Sequence, residues 1–389
     1  MRFASSILGK LLEPIDRRRF QAIVDRHQGD AYCKSFDSWD HLVALVFAQM
    51  SAADGLRGLA ANWNAQSHHH YHLGCGPLSR STLCDANKRR PVAIFAETFA
   101  LLVGELDRGV RSQAKEMIRL IDSTPIPLGK LCDWAQSNGR IHGLKMHVAY
   151  EPSADRPRVL SITNANVNDV EIGRTIALEK DATYVFDKGY CRYDWWTAIA
   201  AAGAVFVTRP KTNMRLEVVR RRPIDAQAAE GDGFVVLKDA DVRLASKGDS
   251  KLAIALRRVT IRRDNGKTLV LLTNDHRRSA GEIAALYKGR WQIELLFRWI
   301  KQHLEIRKFL ANNDNAIRLQ IFAAMIVFAL LRIAHKTCAA ALPLLRFLDL
   351  VAQSLFERRH IAAINKPPPV NPSRKRDRSS QNQLSFSYA

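Results

Sequence analysis

Three acids, Asp122, Asp187 and Glu294, sit where hard-oxygen chemistry could be built. Asp122 closes the apolar run from Ile118 and is followed by Ser123-Thr124-Pro125, a turn. Asp187 closes the run Ala182 to Phe186 ahead of Lys188-Gly189-Tyr190. An ionised carboxylate at the lip of a buried strand is costly unless it is paired or bound to a metal. Strand ends are also where α/β sheets place their sites. Glu294 lies in the helical stretch Ala280 to Leu304. At about 100° per residue, Tyr287, Arg290, Glu294, Arg298 and Lys301 share one face, and Leu286, Ile293, Phe297, Ile300 and Leu304 form an apolar stripe beside it. Such a helix holds an acid next to a row of cations. Three carboxylates of this kind suit Mg²⁺, with Mn²⁺ as a substitute. Two such ions about 4 Å apart could activate water and stabilise a leaving 3′ oxygen in phosphodiester displacement. Read alone, either aspartate could equally be a turn or cap residue, and the helix face could be solvated and laced with ion pairs.

The elements that must position these residues fall in order along the chain. Residues 1–115 read as a helical N-terminal domain, with Leu42, Leu45, Val46 and Met50 on one face and Leu56, Leu59, Ala60 and Trp63 on another. A third helix, capped by Ser79 or Ser81, ends in Lys88-Arg89-Arg90 before Pro91. A basic last helix in a three-helix unit suggests a DNA reader using Lys88, Arg89 and Arg90, although helices also end in cations to suit the helix dipole. Residues 116–209 read β-β-β-α-β-α-β: strands at Ile118–Asp122, Leu144–Tyr150 and Arg158–Thr163, a helix over Asp169–Glu179, a strand at Ala182–Asp187, a helix over Trp195–Ala202 and a strand at Ala204–Thr208. Residues 210–278 form a β-rich insertion, with stretches such as Leu252–Leu256 and a hairpin signal at Asp264-Asn265-Gly266. The acid-bearing helix opens the second part of the core, 279–345, and Ala316–Ala341 continues as an apolar helix. The segment 346–389 is basic, and its Pro-rich end is expected to be disordered.

Composition narrows the partner. The chain has 389 residues and a formal net charge of +21, from 59 Lys and Arg against 38 Asp and Glu. That surplus repels itself in a compact protein, so a polyanionic partner is its natural reason, and the spread of the cations favours nucleic acid over a membrane surface. The six cysteines form no CxxC pair, which argues against zinc or disulfide frameworks and fits a reducing, cytoplasmic and nucleoid-associated setting. The apolar run Ile321–Leu331 falls short of the roughly 20 residues that span a bilayer. His68, His69, His70 and His72 read as a polar loop, because consecutive histidines cannot share a helix face and no companion ligand is spaced for a metal.

The strand order, the insertion and the acid-bearing helix together resemble the ribonuclease H-like core of DDE transposases. More narrowly, Tyr287-x2-Arg290-x3-Glu294-x6-Lys301 resembles the Y-R-E-K signature of the insertion sequence 4 family, and Leu272-Thr273-Asn274-Asp275 and Asp187-Lys188-Gly189-Tyr190 are also similar to that family. The resemblance implies an α/β fold: a mixed sheet with flanking helices, the β-rich insertion and the helical N-terminal DNA-binding domain. It implies Asp122, Asp187 and Glu294 as catalytic metal ligands, and Tyr287, Arg290 and Lys301 as grips on the phosphates near a transposon end. Its partners would be double-stranded DNA, as transposon ends and target, and a second copy of the chain in a dimeric synaptic complex. The competing readings are a ribonuclease H-like nuclease that joins no strands and a DNA-binding descendant without chemistry. In relatives an aromatic near the insertion can hold a flipped base; the motif does not say which residue would do so, and Trp299 falls on the packing side of the helix.

Overall fold

The computed structural model describes residues 5–51, 53–107, 117–154, 156–224, 230–244, 254–304, 309–338 and 342–366. The expected disordered tail over 367–389 and the strand start at Leu252 lie outside them. Five strands make the core: β1 (Met117–Pro127), β2 (Gly143–Glu151), β3 (Arg156–Asn164), β4 (Ala182–Phe186) and β5 (Val205–Thr208). Their spatial order is β3-β2-β1-β4-β5. β2 runs antiparallel to β1 and β3, whereas β1, β4 and β5 are parallel. This is the ribonuclease H-like arrangement expected from the sequence. All five residues of β4 are buried, as a central parallel strand covered on both faces requires. The helix expected over Asp169–Glu179 is shorter: it ends at Gly173, where the rings of Tyr190 and Trp195 pack so close that a Cβ would meet them at 3.1 and 3.3 Å.

The insertion is not a separate sheet. Its strands β6 (Leu216–Arg221), β7 (Glu230–Gly231), β8 (Phe234–Leu244), β9 (Leu256–Arg263) and β10 (Thr268–Thr273) continue the core sheet, in the order β5-β10-β9-β8-β6 with β7 on β8. The join is the antiparallel pairing Leu272↔Thr208 and Thr273↔Val207. Without it β5 would be an open edge carrying the fully buried Phe206 and Val207, and an unpaired apolar edge is a liability. Leu272-Thr273-Asn274-Asp275 makes the seam: the Asn274 side chain accepts from the Phe206 N–H at 2.8 Å and donates to the Ala204 carbonyl at 3.1 Å. The expected hairpin is present, with Gly266 at φ +74° and its N–H donating to the Arg263 carbonyl.

Residues 280–304 form two helical segments rather than one. At their junction the Arg290 N–H bonds back three residues to the Tyr287 carbonyl at 3.1 Å, and the Ile293 N–H to the Arg290 carbonyl at 3.2 Å. This is the tighter 3₁₀ pattern. It divides Ala280–Gly289 from Trp291–His303, while Arg290 itself keeps right-handed dihedral angles (−55°, −28°). The apolar stripe is as read: Ile293, Phe297, Ile300 and Leu304 are buried, with Leu286 partly so. Each such side chain contributes roughly 1.5–3 kcal/mol of burial, which fixes the helix against β1 and the long helix Asp314–Thr337.

That long helix is the axis of the helical half. Val92–Asp107 and Ser38–Met50 pack along it, and its side chains share one apolar core with Leu45, Leu83, Phe95 and Val207. It is the one helix among the described residues long and apolar enough to cross a membrane, yet 78% of its apolar window is buried inside the protein. Ser79 caps Arg80–Arg89 through the Thr82 N–H. The histidines form a short helical turn rather than a loop, with His70 stacked on Trp63 at 4.4 Å.

Candidate active site

Strand alternation puts the acids on one face. Leu120, Asp122 and Ile126 of β1 point to the side covered by the Trp291–His303 helix, and Ile121 points to the other. On β4, Val185 faces the same way as Leu120, so Asp187, two residues on, does too. Ile121 pairs with Phe186 in the parallel ladder. The next residues, Asp122 and Asp187, therefore stand side by side, about 4.8 Å apart in backbone spacing. Asp187 follows the end of β4, but Asp122 lies within β1, because Ser123–Pro127 stay paired with β2 where a turn was expected.

One guanidinium ties the group together. Arg290 donates from one nitrogen to Asp122 Oδ2 at 2.9 Å and from another to Glu294 Oε1 at 2.5 Å. It is 13% exposed, and its third nitrogen, Nε, has no acceptor among the described residues. Asp187 is held separately: Arg209 donates two hydrogen bonds to its Oδ1, at 2.9 and 2.6 Å, and the Tyr287 hydroxyl donates to the same oxygen at 3.3 Å. Asp122, Ser123, Thr124, Glu294, Phe297, Arg298, Lys301 and Gln302 line an open cleft of about 400 Å³. Of the residues singled out from the sequence, Asp122, Glu294 and Lys301 line this cleft, while Arg290 contacts two of the acids and Tyr287 contacts Asp187; Trp299 packs edge-on against Phe328.

Arg209 was missed. Because Val185 pairs with Val207, Arg209 leaves β5 level with Asp187 leaving β4, and counting two residues past each paired strand would have found it. Arg90, by contrast, does not reach the surface. It is 6% exposed and donates to the Phe36 carbonyl at 2.5 Å and to Asp30 at 3.3 Å. Its guanidinium is buried, with Nη2 making these bonds and Nη1 without an acceptor among the described residues, and so lies out of reach of a DNA phosphate. Only Lys88 and Arg89 of the basic triplet are exposed. The end of their helix is locked by Asn315, which donates to the carbonyls of Asn87 and Arg90.

The acids differ electrostatically. Burial pushes the Asp122 carboxyl up to about 6; Arg290 opposes this, and the charges of Asp187 and Glu294 add to it. Burial is the largest influence on Asp187 and raises its carboxyl, but the hydrogen bonds from Arg209 and the Lys188 N–H and the charges of Arg209 and Arg290 together outweigh it and hold that carboxyl below the usual range. Burial raises the Tyr287 hydroxyl to about 12, so it stays a donor to Asp187. For Asp122 the native state binds a proton more tightly than the unfolded chain does between the ordinary value of 3.8 and about 6. Its contribution to stability is therefore present at low pH and falls as pH rises through that window, by about 3 kcal/mol at most. Wild-type protein should lose stability relative to Asp122→Asn between about pH 4 and about pH 6 and then run parallel to it. Paired thermal melts check this, and a difference that is flat with pH refutes it.

No group of three or more His, Cys, Asp or Glu side chains among the described residues already stands at metal-binding geometry. Arg290 stands between two of the acids with its own positive charge. The donor set nonetheless fits a divalent ion by its chemistry: two hard carboxylates share one cationic position and a third stands on the neighbouring strand.

Known proteins resemble this chain over much of its length. Residues 113–330, more than half of the chain, match the family model described as Transposase DDE domain, and residues 4–76 match a domain of unknown function. The chain is 68% identical over 314 residues to "Putative transposase y4zB" of Sinorhizobium fredii, covering 80% of this chain and 88% of that one. This chain belongs to the DDE transposases of the insertion sequence 4 family. The transposase is also 29% identical over 256 residues to "Probable transposase for insertion sequence element IS5377" of Geobacillus stearothermophilus, covering 65% of this chain and 66% of the relative. With "Putative transposase for insertion sequence element IS4SA" of Synechocystis it shares 27% over 264 residues, 65% of this chain and 71% of the relative. As a DDE transposase it is an enzyme that works on DNA with divalent metal.

Proposed function

We propose that this transposase binds the terminal inverted repeats of an insertion sequence, hydrolyses the phosphodiester at each end and joins the freed 3′ hydroxyls to target DNA by a cut-and-paste route. The observation that carries the reading is the bridge of Arg290 between Asp122 and Glu294, with Asp187 one strand away. Asp122, Asp187 and Glu294 would hold Mg²⁺, two ions in the fullest form of the reading. Bound there, the metal supplies an activated water and stabilises the leaving oxygen. The chain's own residues do the rest. Arg209 and Tyr287 orient the Asp187 carboxylate. Lys301 lines the cleft and Arg290 stands against Asp122 and Glu294, where an ammonium and a guanidinium grip the phosphates flanking the scissile bond. Lys88 and Arg89, exposed at the end of their helix, add phosphate contacts from the N-terminal half. Two ends must be held at once for excision, which supports a dimeric synaptic complex.

The test is strand joining. Purified protein, Mg²⁺ and a labelled duplex carrying the element's terminal repeat with a free 3′ hydroxyl are incubated with supercoiled plasmid. Label is expected to appear covalently in the plasmid, and replacing the 3′ hydroxyl by hydrogen should abolish it. Cutting without any joined product would leave only a nuclease.

A further inference from the structure

The insertion sorts its charges by face. Along β9, Arg257, Val259 and Ile261 point to the side on which the helix Ala280–Gly289 packs, while Arg258, Thr260 and Arg262 point to the opposite side. The cross-strand register extends this. Asp241 stands opposite Arg257, whereas Lys238 stands opposite Thr260, Ala240 opposite Arg258, and Arg221 opposite Ala240. Every acid of β6, β8, β9 and β10 (Glu217, Asp239 and Asp241) therefore falls on the helix-covered face, where each meets an arginine: Glu217 with Arg243, Asp239 with Arg257, Asp241 with Arg220 and Arg222. The reverse face receives Arg221, Lys238, Arg258 and Arg262. None of these four has a hydrogen-bond or ion-pair partner among the described residues, and Arg221, Lys238 and Arg262 are exposed. Near the core this reverse side is closed by the helix Tyr193–Ala201 and its aromatic cluster. Further out, the half-buried Val235 and Val270 and the exposed Thr268 lie among the cations, with Thr260 buried between them.

We propose that this uncovered face is a second docking surface for duplex DNA, on the side of the sheet away from Asp122, Asp187 and Glu294. It takes from the proposed function only that the partner is DNA. A sheet face carrying unpaired cations and the exposed Thr268 suits an extended polyanion. Arg258 and Arg262 are four residues apart, about 13 Å along the strand, which is close to the ~12 Å width of a major groove. They can reach phosphates on its two sides, with Lys238 and Arg221 on the adjoining strands extending the track. The two sides of one sheet would then hold two DNA segments, as a reaction that joins one duplex to another requires.

The experiment uses the full chain with Lys238→Gln and Arg262→Gln together, both exposed positions. A second variant, Arg258→Gln, probes the less exposed cation. Affinity for a duplex of scrambled sequence is measured across a salt series, and cleavage of the terminal-repeat duplex is measured at saturating DNA and low salt. In the double variant the slope of log affinity against log salt should become shallower by about 1.8, for two lost phosphate contacts, with the cleavage rate unchanged. Arg258→Gln should lower the slope by about 0.9. An unchanged slope in both variants overturns the proposal. So does a shallower slope accompanied by lost cleavage at saturation, since that would put these residues on the path of the cleaved end. Failure of wild-type protein to cleave at all would count against the proposed function and leave the slope measurement standing by itself.

Discussion

Replacing Glu294 with glutamine is expected to leave binding of the DNA ends intact and to lower strand cleavage by roughly 10⁴-fold or more, the scale on which removing one member of a catalytic unit acts. Glutamine keeps the size of the side chain, and its amide oxygen can still accept the hydrogen bond that Arg290 now gives to Glu294 Oε1. What it removes is one negative charge from the group that would hold the metal. The change should be nearly silent in stability, because Glu294 is 31% exposed and its contact with Arg290 is an i,i+4 pair on one helix, a class screened by solvent. A melt that matches wild type, binding that matches wild type and absent cleavage would together locate the defect in the chemistry. Cleavage at the wild-type rate would remove Glu294 from the catalytic set.

Glu294 was legible in the sequence because two periodicities overlap there. A 3.6-residue apolar stripe fixes which way the helix faces, and the same count fixes Tyr287, Arg290 and Lys301 relative to the acid. The strand Ala182–Phe186 was legible as a short apolar run that ends before an acid, whereas the first strand was read too short: it runs on past Asp122 to Pro127 because β2 pairs with it there. Other features depend on pairing that one stretch of sequence cannot show. Arg209 acquires its role only because Val207 lies beside Val185. The insertion reads as β-rich, but its continuation of the core sheet rests on Leu272 meeting Thr208. Arg90 looked like the third cation of an exposed triplet, and nothing local reveals that the Phe36 carbonyl and Asp30 wait for it across the fold. The break at Arg290 was invisible because the residues on either side of it continue the helical period.

Removing the Arg290 guanidinium is expected to weaken the metal-free protein and to strengthen its response to metal. With Arg290→Ala, Asp122 at 19% exposure and Glu294 at 31% lose the cation between them. The Asp122 carboxyl, already at about 6, would move higher still. Breaking a fully buried pair costs about 3–5 kcal/mol; these groups retain partial solvent contact, so a loss of about 2 kcal/mol is the better expectation. At about 2 °C per kcal/mol for a chain of this size, the metal-free midpoint should fall by about 4 °C. Mg²⁺ then has no guanidinium to displace, and a ligand that binds only the native state raises its stability with concentration. The midpoint of the variant should therefore climb further with added Mg²⁺ than that of wild type, reaching half its rise at a lower concentration. DNA-end cleavage should stay impaired even at saturating Mg²⁺, because the cation that Arg290 offers to phosphate is gone. Thermal melts across a Mg²⁺ titration, run on both proteins, decide it. Parallel curves would mean that Arg290 does not occupy the cationic position among the acids, and its contact with them would be packing alone.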